Sequence, residues 1–154
     1  MKHSAILLAC VMTVNVNVKA LEEKPLGLEN MRWKYRVILV FAREPNTSTA
    51  LLNLDDFTAE CEERDIVWFV LGNDVMYTNY DGKLEDRLRE QLMDRYFTPV
   101  PSNTSVILIG KDGTLKSRST DLDLEATFGL IDQMPMRREE MRRQSEEPDW
   151  IRSK

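Results

Sequence analysis

Arg36-Val37-Ile38-Leu39-Val40-Phe41 is the stretch on which the reading of the fold turns. Before it, Met31, Trp33, Tyr35 and Val37 alternate with Arg32, Lys34 and Arg36, and then the chain becomes continuously apolar. Period two running into an unbroken apolar run predicts a strand that starts half exposed near residue 31 and becomes buried on both faces by residue 41. A strand buried on both faces requires helices on both sides of its sheet.

Downstream, Ala42-Arg43-Glu44-Pro45-Asn46-Thr47 breaks the strand. Ser48 or Thr49 is placed to cap a helix, in which Leu51, Leu54, Phe57 and Cys61 share a face and which ends near Asp65. The β-branched and aromatic run of residues 66–71 reads as a second strand, parallel to the first as in other strand-helix-strand units. Leu84, Leu88, Leu92 and Tyr96 recur at steps of four after Asp81-Gly82, predicting a second helix. Thr98-Pro99-Val100-Pro101 ends it. Ser105 to Ile109 is a third strand. The turn Gly110-Lys111-Asp112-Gly113, with Gly113 at positive φ, leads into a fourth over residues 114–117, forming a hairpin. Asp121 or Asp123 opens a third helix carrying Leu124, Phe128 and Ile131, and Pro135 starts a last one.

The order is β-α-β-α-β-β-α, that of a thioredoxin-like α/β sandwich: three layers, with a mixed central sheet of about four strands. Three stretches also carry a family resemblance: residues 36–42, residues 107–113, and above all Phe128-Gly129-Leu130-Ile131-Asp132-Gln133-Met134-Pro135-Met136-Arg137-Arg138. They resemble an uncharacterised domain shared by bacterial exported proteins, sushi-repeat-containing proteins and the matrix protein coiled-coil domain-containing protein 80. The resemblance spans about residues 32–143. It implies a thioredoxin-like fold related to peroxiredoxins, with no assigned catalytic mechanism.

The whole chain has 154 residues, 21 Lys and Arg against 26 Asp and Glu, two Cys and one His, a balance that suits one globular domain. Its first twenty residues read as a signal peptide: Lys2, an apolar stretch from Ala5 to Val14, and the small residues of Val18-Lys19-Ala20 before a cleavage point. A membrane anchor is the alternative, but the apolar stretch is about half of the ~20 residues a spanning helix needs. A lipoprotein signal ending at Cys10 is another. Residues 21–30 form a polar lead-in, 31–144 the domain and 145–154 a flexible tail holding Trp150.

Because Lys2, His3, Cys10 and Lys19 fall in the leader, processing would leave 134 residues of net charge −7, one cysteine and no histidine. Ser-His-Asp and Cys-His catalysis and His-ligated zinc are then excluded. So is dithiol exchange within one chain, since no C-x-x-C exists. The acidity argues against nucleic acid as a partner. No catalytic residue, cofactor or metal is assigned. The partner is an unknown protein or a small anionic ligand.

A thioredoxin-like fold places its reactive cysteine where the first strand enters the first helix. Residues 42–50 contain none. Cys61, in register with Leu54 and Phe57, reads as a buried apolar side chain; its alternatives are a thiol reached by local unfolding or an intermolecular disulfide. Pro99 and Pro101 lie earlier than the cis-proline the fold usually carries before its third strand, which weakens a peptide-binding reading. Open α/β sheets bind ligands beyond the carboxyl ends of their parallel strands, which makes Arg43, Asn46, Thr47, Ser48, Asn73, Asp74 and Asn103 a candidate cleft. Ordinary polar loop composition explains the same residues.

Met134, Pro135, Met136, Arg137 and Arg138 form a candidate partner surface, against the plainer reading of a solvated helix. Gly110-Lys111-Asp112-Gly113 is not a phosphate loop, since Ser105 and Asp112 stand where it needs glycine and Ser or Thr. Asp121, Asp123 and Glu125 alternate as calcium ligands do, but acidic residues at a helix start account for them. Asn46 and Asn103 begin Asn-x-Ser sequons, relevant in a eukaryotic secretory pathway. The function these features favour is a non-catalytic binding module of the envelope or periplasm. A single-cysteine, peroxiredoxin-like oxidoreductase is the alternative.

Overall fold

The computed structural model describes residues 24–146. In chain order these form α1 (Leu28–Met31), β1 (Arg36–Phe41), α2 (Asn46–Asp56), α3 (Thr58–Glu63), β2 (Ile66–Leu71), β3 (Met76–Thr78), α4 (Leu88–Tyr96), β4 (Ser105–Ile109), β5 (Leu115–Ser119), α5 (Leu124–Asp132) and α6 (Pro135–Glu146). All six residues of β1 and all six of β2 are buried, as a sheet covered on both faces requires.

The strand period of two sorts β1 into two cores. Ile38 and Val40 join Trp68, Val70, Val106 and Leu108 beneath the helix residues Ala50, Leu54, Cys61, Leu124, Phe128 and Ile131. Val37, Leu39 and Phe41 join Val67, Phe69, Leu71, Ile107 and Ile109 beneath Met31, Leu88, Leu92 and Phe97. Helices α2, α3 and α5 therefore cover one face, and α1 and α4 the other.

The sheet runs β3-β2-β1-β4-β5. β1 pairs parallel with β2, Arg36 opposite Ile66 and Phe41 opposite Leu71, and antiparallel with β4. The β4-β5 hairpin turns through Gly113 at φ +76°, a conformation glycine adopts without the steric cost of a Cβ. The four strands β2-β1-β4-β5, a parallel pair extended by a hairpin, are the thioredoxin-like arrangement expected.

Several expectations need correction. The first strand begins at Arg36, not near residue 31: Met31 ends α1, and Trp33, at φ +66°, donates its N–H to the Lys111 carbonyl at 2.6 Å. The period two before Arg36 thus spans a helix and a turn. The predicted single helix over residues 48–65 is two, divided at Phe57, and starts at Asn46. Ser48 and Thr49 do not cap it; their hydroxyls donate to Glu44 Oε2 and the Pro45 carbonyl.

The sheet has five strands, the extra one being β3. Three half-exposed residues are too few to show a period. Asn79 continues that edge with its side chain, accepting from Trp68 N–H at 2.9 Å and donating to the Ile66 carbonyl at 3.0 Å. Leu84, predicted as helical, instead bridges to Leu26 before α4 begins. Leu26 is 3% exposed, so the polar lead-in supplies a core residue. Gly27 permits that approach because a Cβ there would sit 2.1 Å from the Glu85 carboxyl carbon. The proposed leader, residues 1–20, lies outside the described residues.

Candidate functional site

Arg43 stands just past the carboxyl end of β1, and Asn73 and Asp74 just past that of β2. The Arg43 guanidinium lies over the Phe41 ring at 5.1 Å and donates to the Ser102 carbonyl at 2.8 Å, which ties the loop after β1 to the loop before β4. Asn46 Nδ2 adds a bond to Thr104 Oγ1 at 3.2 Å. Glu44-Pro45 and Thr98-Pro99 are cis peptides, one in each of these loops.

These ties divide the predicted cleft into two concavities on either side of Arg43. One, of about 380 Å³, is lined by Phe41, Asn73 and three arginines, Arg43, Arg87 and Arg89, with Glu90, Met93, Asp94 and Val100. The other, of about 360 Å³, is lined by Arg43, Asn46 and Asn103 with neighbouring polar residues. Thr47 belongs to neither: it is 3% exposed, and its hydroxyl donates to the Ala42 carbonyl at 3.0 Å. Its polarity serves the chain reversal after β1. Ser48 and Asp74 are exposed but line neither concavity.

Arg87 and Arg89 were not legible as site residues, because the spacing of four from Glu85 to Arg89 reads as a surface ion pair. Arg89 instead turns toward β2 and donates to the Gly72 carbonyl at 3.0 Å and to the Asn73 carbonyl. Its Nε is buried without a hydrogen-bond partner.

The opposite end of the sheet holds a second polar cluster. Arg36, 1% exposed, donates to the Arg64 carbonyl at 2.7 Å and to both carboxylate oxygens of Glu140 at 3.2 and 3.0 Å. Lys111 joins Glu140 at 2.8 Å to Asp65 at 2.7 Å. Arg137 bonds Asp132 at 3.2 Å, the Glu63 carbonyl at 3.0 Å and the Glu63 carboxylate. Arg64 donates to both carboxylate oxygens of Asp132, at 3.0 and 2.7 Å.

This cluster corrects the candidate partner surface. Arg137 is 1% exposed and committed to ion pairs, whereas Pro135, Met136 and Arg138 are exposed and Met134 is half-buried. Burial opposes ionisation of Asp132, but hydrogen bonds from Arg64 and Arg137 outweigh it and hold its carboxyl below the usual range. The hydrogen bond to Asp132 raises the Arg64 pKa in turn. Four cations thus meet four carboxylates, Asp132 stays ionised, and the cluster ties helices to the sheet. A charged residue opening an otherwise apolar strand, as Arg36 does, is the sequence signal for such a cluster, because a buried charge needs a partner.

Cys61 is completely buried. Burial and the neighbouring Glu60 push its thiol up to about 11. It belongs to the same buried core cluster as Leu54 and Phe128. Among the described residues, no group of three metal-ligating side chains stands together, and no helix is long and apolar enough to cross a membrane.

No curated protein matches the chain. Among solved structures, the pneumococcal exposed lipoprotein thioredoxin Etrx1 from Streptococcus pneumoniae strain TIGR4 is similar, with 15% identity, 70% of this chain and 90% of that chain covered, and a TM-score of 0.47. Residues 27–140 match the family described as Domain of unknown function (DUF4174), and the chain belongs to that family.

Proposed function

We propose that this protein is an exported, non-catalytic binding module of the envelope or periplasm, which keeps a thioredoxin-like scaffold and uses its loops to hold a ligand or partner. The observation that carries the reading is the position of the thiol. Residues 42–50, where the fold would present a reactive cysteine, contain none, and Cys61 is 0% exposed on the core side of α3 with its thiol raised to about 11. A thiol of that kind is almost entirely protonated at neutral pH and is a poor nucleophile. Export is supported by the leader pattern of residues 1–20 and by the resemblance to secreted sushi-repeat-containing proteins and coiled-coil domain-containing protein 80. The binding side of this reading is the loop end around Arg43, Asn46, Asn73 and Asn103; the exposed Met136 and Arg138 offer a protein partner a second face.

The test is expression of the full chain, recovery of the exported form and N-terminal sequencing, followed by peroxide-reduction and insulin-disulfide-reduction assays. Cleavage after Ala20 and no turnover above buffer are expected. Turnover that Cys61→Ser abolishes would establish the single-cysteine enzyme instead.

A further inference from the structure

A pocket of about 210 Å³ opens at the amino end of β1, on the face covered by α1 and α4. It lies at the far end of the sheet from the Arg43 loops. Met31, Val37 and Ile109, each 3–4% exposed, make its floor, and the half-buried Tyr35 and Tyr96 stand in its walls. Tyr35 is set edge-on against Tyr80, with ring centroids 6.2 Å apart.

The mouth carries exposed charge of both signs, from Arg32, Arg95 and Glu29. Arg32 crosses the β4-β5 turn, where its Nε donates to the Asp112 carbonyl at 3.1 Å; a Cβ on Gly113 would come within 2.8 Å of its Cγ. Its guanidinium lies 5.6 Å from the centre of the Trp33 ring, and that of Arg95 lies 5.5 Å from the centre of the Tyr96 ring. The terminal nitrogens of Arg32, and all those of Arg95, have no acceptor among the described residues. Asp112 also lines the pocket, but its carboxylate is spent on Lys116 at 2.7 Å and on Thr114. Glu29, in the first turn of α1, has neither an ion pair nor a hydrogen bond among the described residues.

An apolar floor open to water gains by taking up an apolar body, and a cavity of about 150 Å³ is enough for a benzene ring. About 210 Å³ therefore holds one phenyl ring or branched aliphatic side chain, with its polar end at the mouth. Guanidinium donors match a carboxylate, and the Glu29 carboxylate is an acceptor for an ammonium. A bare anion at this mouth would meet Glu29, and a bare cation would meet Arg32 and Arg95. A molecule carrying both charges turns each repulsion into an attraction.

We infer that this pocket binds a free α-amino acid with an apolar side chain. The side chain rests on Met31, Val37 and Ile109, the carboxylate on Arg32 and Arg95, and the ammonium on Glu29. Only the free amino acid has both charges beside one side chain; a residue at a peptide end keeps one of them. The pocket adds a site to the binding-module reading and does not depend on the Arg43 loops.

The test follows the backbone amide resonances of the exported protein while phenylalanine, phenylpropanoate, phenylethylamine or glycine is added. Phenylpropanoate lacks the ammonium, phenylethylamine lacks the carboxylate and glycine lacks the apolar body. Phenylalanine is expected to shift the amides of Ile109, Gly110 and Gly113. The other probes are expected to bind about tenfold more weakly or worse, a difference of about 1.4 kcal/mol.

Arg95→Gln alters an exposed side chain that makes no hydrogen bond among the described residues, so it keeps the fold. It should weaken phenylalanine and phenylpropanoate about tenfold and leave phenylethylamine unchanged. Glu29→Gln, equally exposed, should remove the preference for phenylalanine over phenylpropanoate. Phenylpropanoate or phenylethylamine bound as tightly as phenylalanine, an unaltered preference in either variant, or no shift at these amides with any probe would overturn the inference. Each of those outcomes leaves the non-catalytic reading standing, since Cys61-dependent turnover is the separate result that defeats it.

Discussion

The guanidinium of Arg36, at the first position of β1, grips both oxygens of Glu140 on α6, 104 residues later in the chain. Glu140 also receives Lys111, so one half-buried carboxylate neutralises two nearly buried cations. Replacing it by glutamine would strand those charges, and breaking a buried pair from one side costs about 3–5 kcal/mol. Because Glu140 is 24% exposed, the lower end is expected for Glu140→Gln. Urea denaturation should show a lower midpoint with an unchanged slope. A midpoint equal to that of the parent would mean that Arg36 is satisfied without Glu140.

Asp132 sits between Arg64 and Arg137, and its carboxyl is held below its ordinary value. The unfolded chain therefore takes up this proton more readily than the folded one. The resulting stability is fully present above the ordinary carboxylate value of about 3.9 and is lost as pH falls toward the depressed folded value. Asp132→Asn should destabilise clearly at about pH 7 and less at about pH 3, below the pH at which the unfolded carboxyl takes up its proton. Urea midpoints of both proteins at the two pH values decide it. A gap of the same size at each pH would show that the charge of Asp132 contributes nothing.

With a pKa near 11, Cys61 is present as thiolate in only about one molecule in ten thousand at neutral pH, even before its burial is considered. Thiol reagents should label the native protein at least ~1,000-fold more slowly than the urea-unfolded chain, because labelling requires opening of the core between α3 and α5. Comparable rates in the two states would place the sulfur within reach of solvent.

Thr47 marks where loop polarity and ligand binding part company. Its hydroxyl is buried against the Ala42 carbonyl. Thr47→Val keeps the shape and removes one hydrogen bond, so a loss of about 1 kcal/mol in stability is expected. A urea midpoint equal to that of the parent would show that this hydrogen bond contributes nothing to stability.

The central strands were legible because burial on both faces leaves an unambiguous mark: residues 66–71 and 106–109 are apolar throughout and bounded by polar turns. Asp123 likewise announced α5, and its side chain accepts from the Ala126 N–H as a cap should. β3 carried no such mark, since a three-residue edge strand follows from what it lies beside. The division at Phe57 was hidden because Leu54, Phe57 and Cys61 keep helical spacing across it.

The candidate site was legible in part, for a related reason. Arg43 could be placed because the carboxyl end of a parallel strand is a position in the topology. Arg87 and Arg89 could not, because their role depends on where α4 docks against β2.

The sequence by itself determined the layered α/β class, the parallel pair with its hairpin, and the absence of a thiol where a thioredoxin-like fold would use one. These follow from local periodicity, turn chemistry and residue identity, which need no partner from elsewhere in the chain. Only the tertiary structure decided which charges are spent and which remain open. Arg137 and Arg89 look alike as residues of amphipathic helices, yet one is closed off by the carboxylates of Glu63 and Asp132 and the other is held by the backbone carbonyls of Gly72 and Asn73. The reason is physical: the state of a charged side chain is set by the groups that folding brings to it, and those pairings join residues as distant in sequence as Arg36 and Glu140.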